Sequence, residues 1–511
     1  MGAFIRGRGA PVLVALLAVA VRWRLVGGWV GVRALHGYDD GVYYSAAAAF
    51  VHGRMPYRDF TLVHPPGVVL ALSPFAVVGR LFGDADGFVA ARIGVILVGA
   101  VNALLVMRLA RRWGVAASVV GGVLYALASS AAYAERTTLL EPWGTLTLLG
   151  GVLLLVKARE QDRASLLWLG GAVLGLGSLV KIWGVVPLVV VVAWQAWSRG
   201  PRVAARVSGG AAGAALLVAG PFALAAPDRM FRLVLRDQLS RPRYVEGLGW
   251  RMVHVLGLDT SPLPGPRGPV LALVLAAVVA AAVAAWRRRR GRFWVVLLGV
   301  QVAVLLASPS FLQHYAAFAT AAVVLVVAAG VSTVRAEVRA PVAVATCAVL
   351  VVAAGAVASQ PPTRPFPLAQ VSAALPAEGC VQADSPGALA LAGVLSRDLD
   401  EGCELPVDLS GQSFDEGDRT AGGAPVERWE NVAFQKKATS YFAAGVATII
   451  ARGGPGDGFS GSTITAIMEG RRLAVDTRGV EVFVDPSAPT SAAVRASDGD
   501  RDADDAATPR P

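Results

Sequence analysis

HGYDDGVYYSAAAAFVHGRMPYRDFTLVHPPG, residues 36–67, is the stretch on which the reading of this chain turns. It carries the acidic pair Asp39-Asp40 beside three histidines, two arginines, four tyrosines and the step Pro65-Pro66. Long apolar runs lie on both sides. So many polar groups cost insertion energy inside a bilayer unless they sit at a wet surface or line a cavity. The stretch therefore reads as the floor of a site, with the hydrophobic segments as its scaffold.

Composition supports that division. The 511 residues are 55% hydrophobic and only 16% charged, with a mean hydropathy of +0.56. Soluble globular domains do not have this balance, and integral membrane proteins do. The net charge of +11 hides a split. Residues 1–360 carry 34 Lys/Arg against 14 Asp/Glu, and residues 361–511 carry 13 against 22. The basic residues fall in short clusters between apolar runs, which is a pattern of membrane topology rather than of nucleic-acid binding. No nucleic-acid partner is expected, and membrane lipids are.

A span needs roughly 20 residues. After a short basic start (Arg6, Arg8), the first apolar run reads as a retained helix, with Arg22 and Arg24 near its outer end. They either snorkel or contact a lipid phosphate. Further spans are expected at 88–107, 115–134, 139–156, 166–179, 185–197, 207–225, 270–286, 293–307, 316–331 and 342–358, eleven in all with the first. With the N-terminus in the cytoplasm, every inner loop is basic: Arg108, Arg111 and Arg112; Lys157, Arg159 and Arg163; Arg199, Arg202 and Arg206; Arg287 to Arg290 with Arg292; Arg335 and Arg339. That is the positive-inside pattern. All five histidines then fall outside. The loop 226–268 is outer yet basic, and an anionic substrate would explain it. Residues 42–51 and 67–82 are too short for convincing spans and are expected to be interfacial helices in the first outer loop.

Residues 360–367 read as a proline-rich hinge between a transmembrane domain (1–359) and a soluble α/β domain (368–486). Strand-like runs at 380–383, 405–409, 447–451 and 480–484 alternate there with helix-like runs at 386–399, 432–444 and 463–469. Cys380 and Cys403 lie in this part, in an outer, oxidising compartment, and are expected to form a disulfide. Residues 487–511, rich in Ala, Asp, Ser and Pro, are expected to be disordered.

The order of motifs now bears on function. An apolar helix precedes Tyr38-Asp39-Asp40-Gly41-Val42-Tyr43-Tyr44, then Tyr57-Arg58-Asp59-Phe60, then His64-Pro65-Pro66-Gly67, then a polytopic bundle. This resembles the GT-C superfamily of membrane glycosyltransferases, especially the branch of protein O-mannosyltransferases and lipid A aminoarabinose transferases. Those enzymes carry an acidic pair followed by a tyrosine in the first outer loop, matched by Asp39, Asp40 and Tyr43. They also carry His-Pro-Pro or Lys-Pro-Pro downstream. The sequence departs from them in having Asp40 where Glu is usual, and Gly67-Val68 where a Lys is common, so the acceptor type does not carry over. The expected fold is a GT-C-like bundle of about 11 transmembrane helices, and the small extracytoplasmic α/β domain, which the resemblance does not clearly cover, stands on its own strand and helix pattern.

The resemblance also implies a chemistry: inverting transfer of a sugar from a polyprenyl-phosphate donor to a hydroxyl of a glycan, lipid or protein acceptor at the outer face. Asp39 is the expected general base, because a hydroxyl is a poor nucleophile until its proton is taken. Asp40 is expected to support it. The departing lipid phosphate needs cations. Lys181 is a candidate, in GLGSLVKIWGVVP, which resembles a Leu-Thr-Lys-Gly-Pro-like turn of the family. Arg58, Arg241 and Arg243 are others, and His64, Glu141, His314 and Tyr315 are expected to line the same cavity. The histidines lack metal-ligand spacing, so no obligatory cofactor is expected, and a divalent cation stays open. The Ala/Val/Arg/Gly bias resembles high-GC actinobacteria, whose plasma membranes face walls containing mannose and arabinofuranose. A polytopic transporter or flippase, or a non-enzymatic envelope scaffold, is the competing reading.

Overall fold

The computed structural model describes residues 9–239, 241, 247–258, 267–334 and 365–488, apart from 416, 422, 424, 452–457 and 478. Its membrane part is built from helices α1 (Gly9–Val26), α2 (Tyr38–Val51), α3 (Gly67–Phe82), α4 (Asp84–Ala110), α5 (Val115–Leu127), α6 (Glu141–Glu160), α7 (Ser165–Val180), α8 (Val185–Arg199), α9 (Pro201–Ala225), α10 (Arg267–Arg287), α11 (Arg292–Ala307) and α12 (Ala317–Val331). Among the described residues, six segments are long and apolar enough to cross a bilayer: Gly9–Val26, Asp84–Trp113, Ile182–Arg199, Pro201–Ala225, Gly268–Arg287 and Gln313–Val331. The apolar helices α3, α5, α7 and α11 are shorter. The expected span at 342–358 lies outside the described residues. The expected single span 115–134 is broken, because Ala128 is extended between α5 and a separate short helix, Ser129–Ala134.

The centre and rim of the bundle follow from composition. In α12 small and branched apolar residues face inward on every side, so most of the helix is buried. In α10 almost nothing is buried. The buried charge of the first span is paired. Arg22 of α1 neither snorkels nor waits for a lipid phosphate: it is fully buried, and its Nε donates to Glu135 Oε2 at 2.8 Å. Glu135 also accepts from Tyr125 Oη at 2.7 Å and Asn102 Nδ2 at 2.8 Å. A carboxylate satisfied on both oxygens is what makes such a charge tolerable away from water.

The first outer loop holds the two helices expected there, but α2 is not a surface helix. Residues Ala46 to Ala49 are buried, with α3 packed on one side and the helix α13 (Pro386–Ala392) on the other. The run Ser45 to Ala49 is small enough to allow this. Gly41 touches Gly387 so closely that a Cβ on Gly41 would stand 2.4 Å from the Gly387 nitrogen. At the start of α3, a Cβ on Gly67 would stand 2.6 Å from the Leu179 carbonyl oxygen. The end of α7, and Lys181 after it, are thereby held against the loop.

The C-terminal part is a four-stranded sheet of order β1-β2-β4-β3, from β1 (Val381–Ala383), β2 (Ala447–Ile450), β3 (Arg472–Thr477) and β4 (Val480–Val484). β1 and β2 are parallel, with Val381 opposite Ala447; the other pairings are antiparallel. Two expectations fail locally. Residues 405–409 are not a ladder strand and make only an isolated bridge, Thr61 to Val407, since Pro406 lacks an N–H and Val407 has φ of 60°. The expected helix 386–399 is two helices, α13 and α14 (Leu395–Asp400), parted by Gly393 at φ of 75°. β3 was not expected, because its exposed Arg472 and Leu473 hide the alternation. Cys380 and Cys403 form a disulfide, with Cα atoms 5.6 Å apart. One apolar core joins α2 and α3 to the sheet and α13 without a break, and a second fills the bundle. Of the expected hinge, residues 360–364 lie outside the described residues, as does the tail from 489 onward.

Candidate active site

The three ends that meet here are the first turn of α2, the turn leading into α12, and the loops of the C-terminal part. Together they enclose a cavity of about 530 Å³. From the first loop come Tyr38, Asp39, Tyr43 and His64; from the α12 turn, His314 and Tyr315; and Arg241 projects from the basic outer loop. The C-terminal part closes the cavity with Asp408, Ser410, Phe414 and Arg428.

The acidic pair divides. The Asp39 side chain is 35% exposed and its Oδ2 lies 3.8 Å from His314 Nε2. One residue on, Asp40 points the other way, 1% exposed. It receives Arg92 Nε at 3.1 Å, Thr138 N at 2.8 Å and Thr138 Oγ1 at 2.7 Å. Burial alone would raise its pKa; the Arg92 charge and the Thr138 bonds hold it below the usual carboxylate range. The Asp40 carboxylate fastens α2 to α4 and the 135–140 turn, while Asp39 is the more accessible acid. His64 is buried, its ring 5.5 Å from that of Tyr43, and its Nδ1 has no hydrogen-bond partner. Burial, then the charges of Lys181 and Arg241, push its pKa well below the ordinary histidine value, so it is neutral.

Lys181 is present but occupied. Its Nζ lies 2.6 Å from Glu141 Oε1 and 3.8 Å over the ring of Tyr315. Glu141 Oε1 is also 4.0 Å from His314 Nε2. Asp39, His314, Glu141 and Lys181 therefore form a chain of alternating acid and base, with the last two behind Tyr315. Arg58 is corrected outright. It is exposed, makes two 2.8 Å bonds to Asp59, and does not reach the cavity. Arg243 lies outside the described residues.

The basic outer loop also has an internal explanation. Arg229 and Arg232 both pair with Asp415, which takes a 3.0 Å bond from Thr61 Oγ1 as well. Arg251 donates to the carbonyl of Ser308 at 2.6 Å. An anionic substrate is not needed for these three. Arg241 differs: among the described residues it forms no ion pair, and its Nε is buried without a partner in the cavity wall.

The sequence did not indicate the C-terminal contribution. The Tyr38 hydroxyl donates to Asp408 Oδ1 at 3.1 Å and accepts from Ser410 N at 2.9 Å. Burial first, with the Asp39 charge adding to it, pushes the Asp408 pKa up to about 6. Arg428 donates to Ser410 Oγ at 2.8 Å. Only the position of Tyr38 beside Asp39 was a signal. Among the described residues, no group of three or more His, Cys, Asp and Glu side chains is placed to hold a metal ion.

An alternating run of acids and bases around one partly exposed carboxylate, under a wall that carries Arg241 over the Phe414 ring, suits proton removal beside a phosphate. Comparisons with known proteins bear on the fold. The family described as dolichyl-phosphate-mannose-protein mannosyltransferase matches residues 63–224. The crystal structure of ArnT from Cupriavidus metallidurans bound to undecaprenyl phosphate superposes with a TM-score of 0.58 at 15% identity, over 93% of this chain and 98% of that one. The archaeal oligosaccharyltransferase AglB from Archaeoglobus fulgidus, in complex with an inhibitory peptide and a dolichol-phosphate, gives 0.52 at 13% identity, over 86% of this chain and 69% of that one. A comparison with curated proteins gave no match. The chain, with six helices long and apolar enough to cross a membrane among its described residues, has a fold similar to that of ArnT, and its residues 63–224 match the mannosyltransferase family.

Proposed function

We propose that this protein transfers a sugar from a polyprenyl-phosphate carrier to an acceptor hydroxyl, with Asp39 as general base and inversion at the anomeric carbon. The observation that carries the reading is the placement of Asp39, the accessible acid of the pair, in a 530 Å³ cavity beside His314 and within the same walls as Arg241. The acceptor oxygen attacks the anomeric carbon while Asp39 takes its proton. The bond from that carbon to the phosphate oxygen breaks, and polyprenyl phosphate leaves. Arg241 faces the charge that grows on the phosphate, and the neutral His64 offers a ring N–H. Lys181 adds positive potential from behind Tyr315, reduced by its pairing with Glu141. The reaction is written without a metal ion. The sugar is of the mannose or arabinofuranose type, and the cavity faces the outer side of the membrane.

The test is a purified transfer assay that measures release of polyprenyl phosphate. Asp39→Asn keeps the shape of the side chain but cannot take the proton. Turnover should fall on the order of 10²–10⁴ while donor binding is retained. If turnover stays above roughly a tenth of the starting value, a barrier change below about 1.4 kcal/mol, Asp39 is not the base.

A further inference from the structure

A second cavity, about 470 Å³, lies at the far end of the same helices. α6 begins at Glu141 beside Lys181, α8 follows Lys181, and α11 runs into the turn that carries His314. Their other ends, at Glu160, Arg199 and Phe293, together with Arg112 beyond α4, line this second space. α6 has 20 residues, which at 1.5 Å each span roughly 30 Å, the thickness of a hydrocarbon core. The two cavities therefore stand on opposite membrane faces.

The lining has two zones. Arg112, Arg159 and Arg199 form the mouth, with Glu160 as the acid among them. Among the described residues, none of these arginines makes an ion pair; Arg112 lies 5.1 Å from the centre of the Trp113 ring. Deeper in, the floor is apolar, from Val152, Leu155, Val191, Trp194 and Phe293. Between the zones, the side-chain oxygen of Gln195 is buried without a hydrogen-bond partner among the described residues. Arginines placed only to fix topology need neither a cavity nor an apolar floor, and they do not leave a buried amide unsatisfied. Guanidinium groups over an apolar slot fit a molecule with an anionic phosphate head and a hydrocarbon tail.

We propose that this cavity is a binding site for the phosphate head of an anionic lipid, at the end of the helices opposite Asp39. Two sources share that chemistry, a bulk phospholipid and a polyprenyl phosphate. The proposal does not depend on the transfer reaction.

Native mass spectrometry of the detergent-purified full chain tests it, with phosphatidylglycerol, undecaprenyl phosphate and phosphatidylcholine titrated separately. The protein should bind at least one of the two anionic lipids more tightly than phosphatidylcholine, and the tighter arm identifies the source. In Arg159→Gln/Arg199→Gln that affinity should drop on the order of tenfold to thirtyfold, as expected for two surface arginines. Val156→Trp, which fills the floor and leaves every charge in place, should lower it as well. Arg241→Gln, at the other cavity, should leave phosphatidylglycerol binding unchanged, and in the undecaprenyl phosphate arm it removes the proposed active-site contact so that the binding left is read at this cavity. Equal binding of anionic and neutral lipid, or a preference that survives both cavity variants, would overturn the proposal and leave the arginines as ordinary helix-end charges.

Discussion

At the scale of single residues, Asp39 and Asp40 show how far neighbours can differ. One helical step turns the first towards the cavity and the second into the protein, where Arg92 and Thr138 hold it. The sequence located both acids and gave Asp40 a supporting role, but could not show its partner, because Arg92 comes 52 positions later. We expect Asp40→Asn to act on folding rather than on chemistry. Removing one partner of a buried ion pair typically costs about 3–5 kcal/mol, so the variant should express poorly and melt early. Normal thermal stability in detergent would show the pair to be expendable. Asp408 gives a pH dependence. Its folded pKa of about 6 lies above the unfolded value of roughly 3.9, a difference of about 3 kcal/mol at most. Its contribution to stability is therefore fully present below about pH 4 and is lost as the pH rises through about 6. Melting curves of the protein and of Asp408→Asn, recorded from pH 4 to 7, should differ in slope in that direction. Parallel curves would mean that Asp408 ionises normally.

At the scale of elements, the apolar runs were legible because a bilayer demands length and hydrophobicity together. The tertiary use of the first outer loop was not. A stretch of small residues such as Ser45 to Ala49 reads as a weak surface helix until a second segment is seen against it. Here α13 is that segment, brought close by Gly41 and Gly387. In the C-terminal part, the strand reading of 405–409 rested on apolar residues and ignored the backbone at Pro406 and Val407. The cysteines were legible from spacing and compartment. Their bridge has a sequence separation of 23 and is worth roughly 3 kcal/mol by loop-closure entropy. The Cys403 carbonyl also accepts from Arg54 Nη1 at 2.8 Å. Cys403→Ser should therefore lower the melting temperature and loosen the contact with the first loop. Limited proteolysis, with faster cleavage in 365–488, is the readout, and unchanged cleavage would contradict it.

At the scale of the whole molecule, charge accounts for much of the assembly. The excess of acid after residue 360 and the basic loop 226–268 were both visible in the sequence. That they meet was not, since composition does not say which charges are partners. Asp415 with Arg229 and Arg232, and Asp237 with Arg419, now join the two parts. Asp415→Ala should remove the carboxylate that Arg229 and Arg232 share and part the cavity walls, lowering transfer more than Asp408→Asn does. Hydrogen exchange should rise on both sides of the contact; unchanged exchange would assign the docking to apolar packing alone. We also expect a reporter fused after Asp485 to be active only on the outer side of the membrane, with the N-terminus inside. Activity on the inner side would invert the topology.

The buried pair of Arg22 and Glu135 has a consequence for biogenesis. The two residues are 113 positions apart, and a ribosome adding roughly 5–20 residues per second needs several seconds or more to reach the second. During that interval α1 has entered the insertion machinery with an uncompensated arginine, a penalty of about 2.5–3.5 kcal/mol on translocon scales. The nascent chain must therefore pass through a state in which its first helix is not yet committed to the lipid phase. Commitment arrives only when the 128–135 segment is delivered to it.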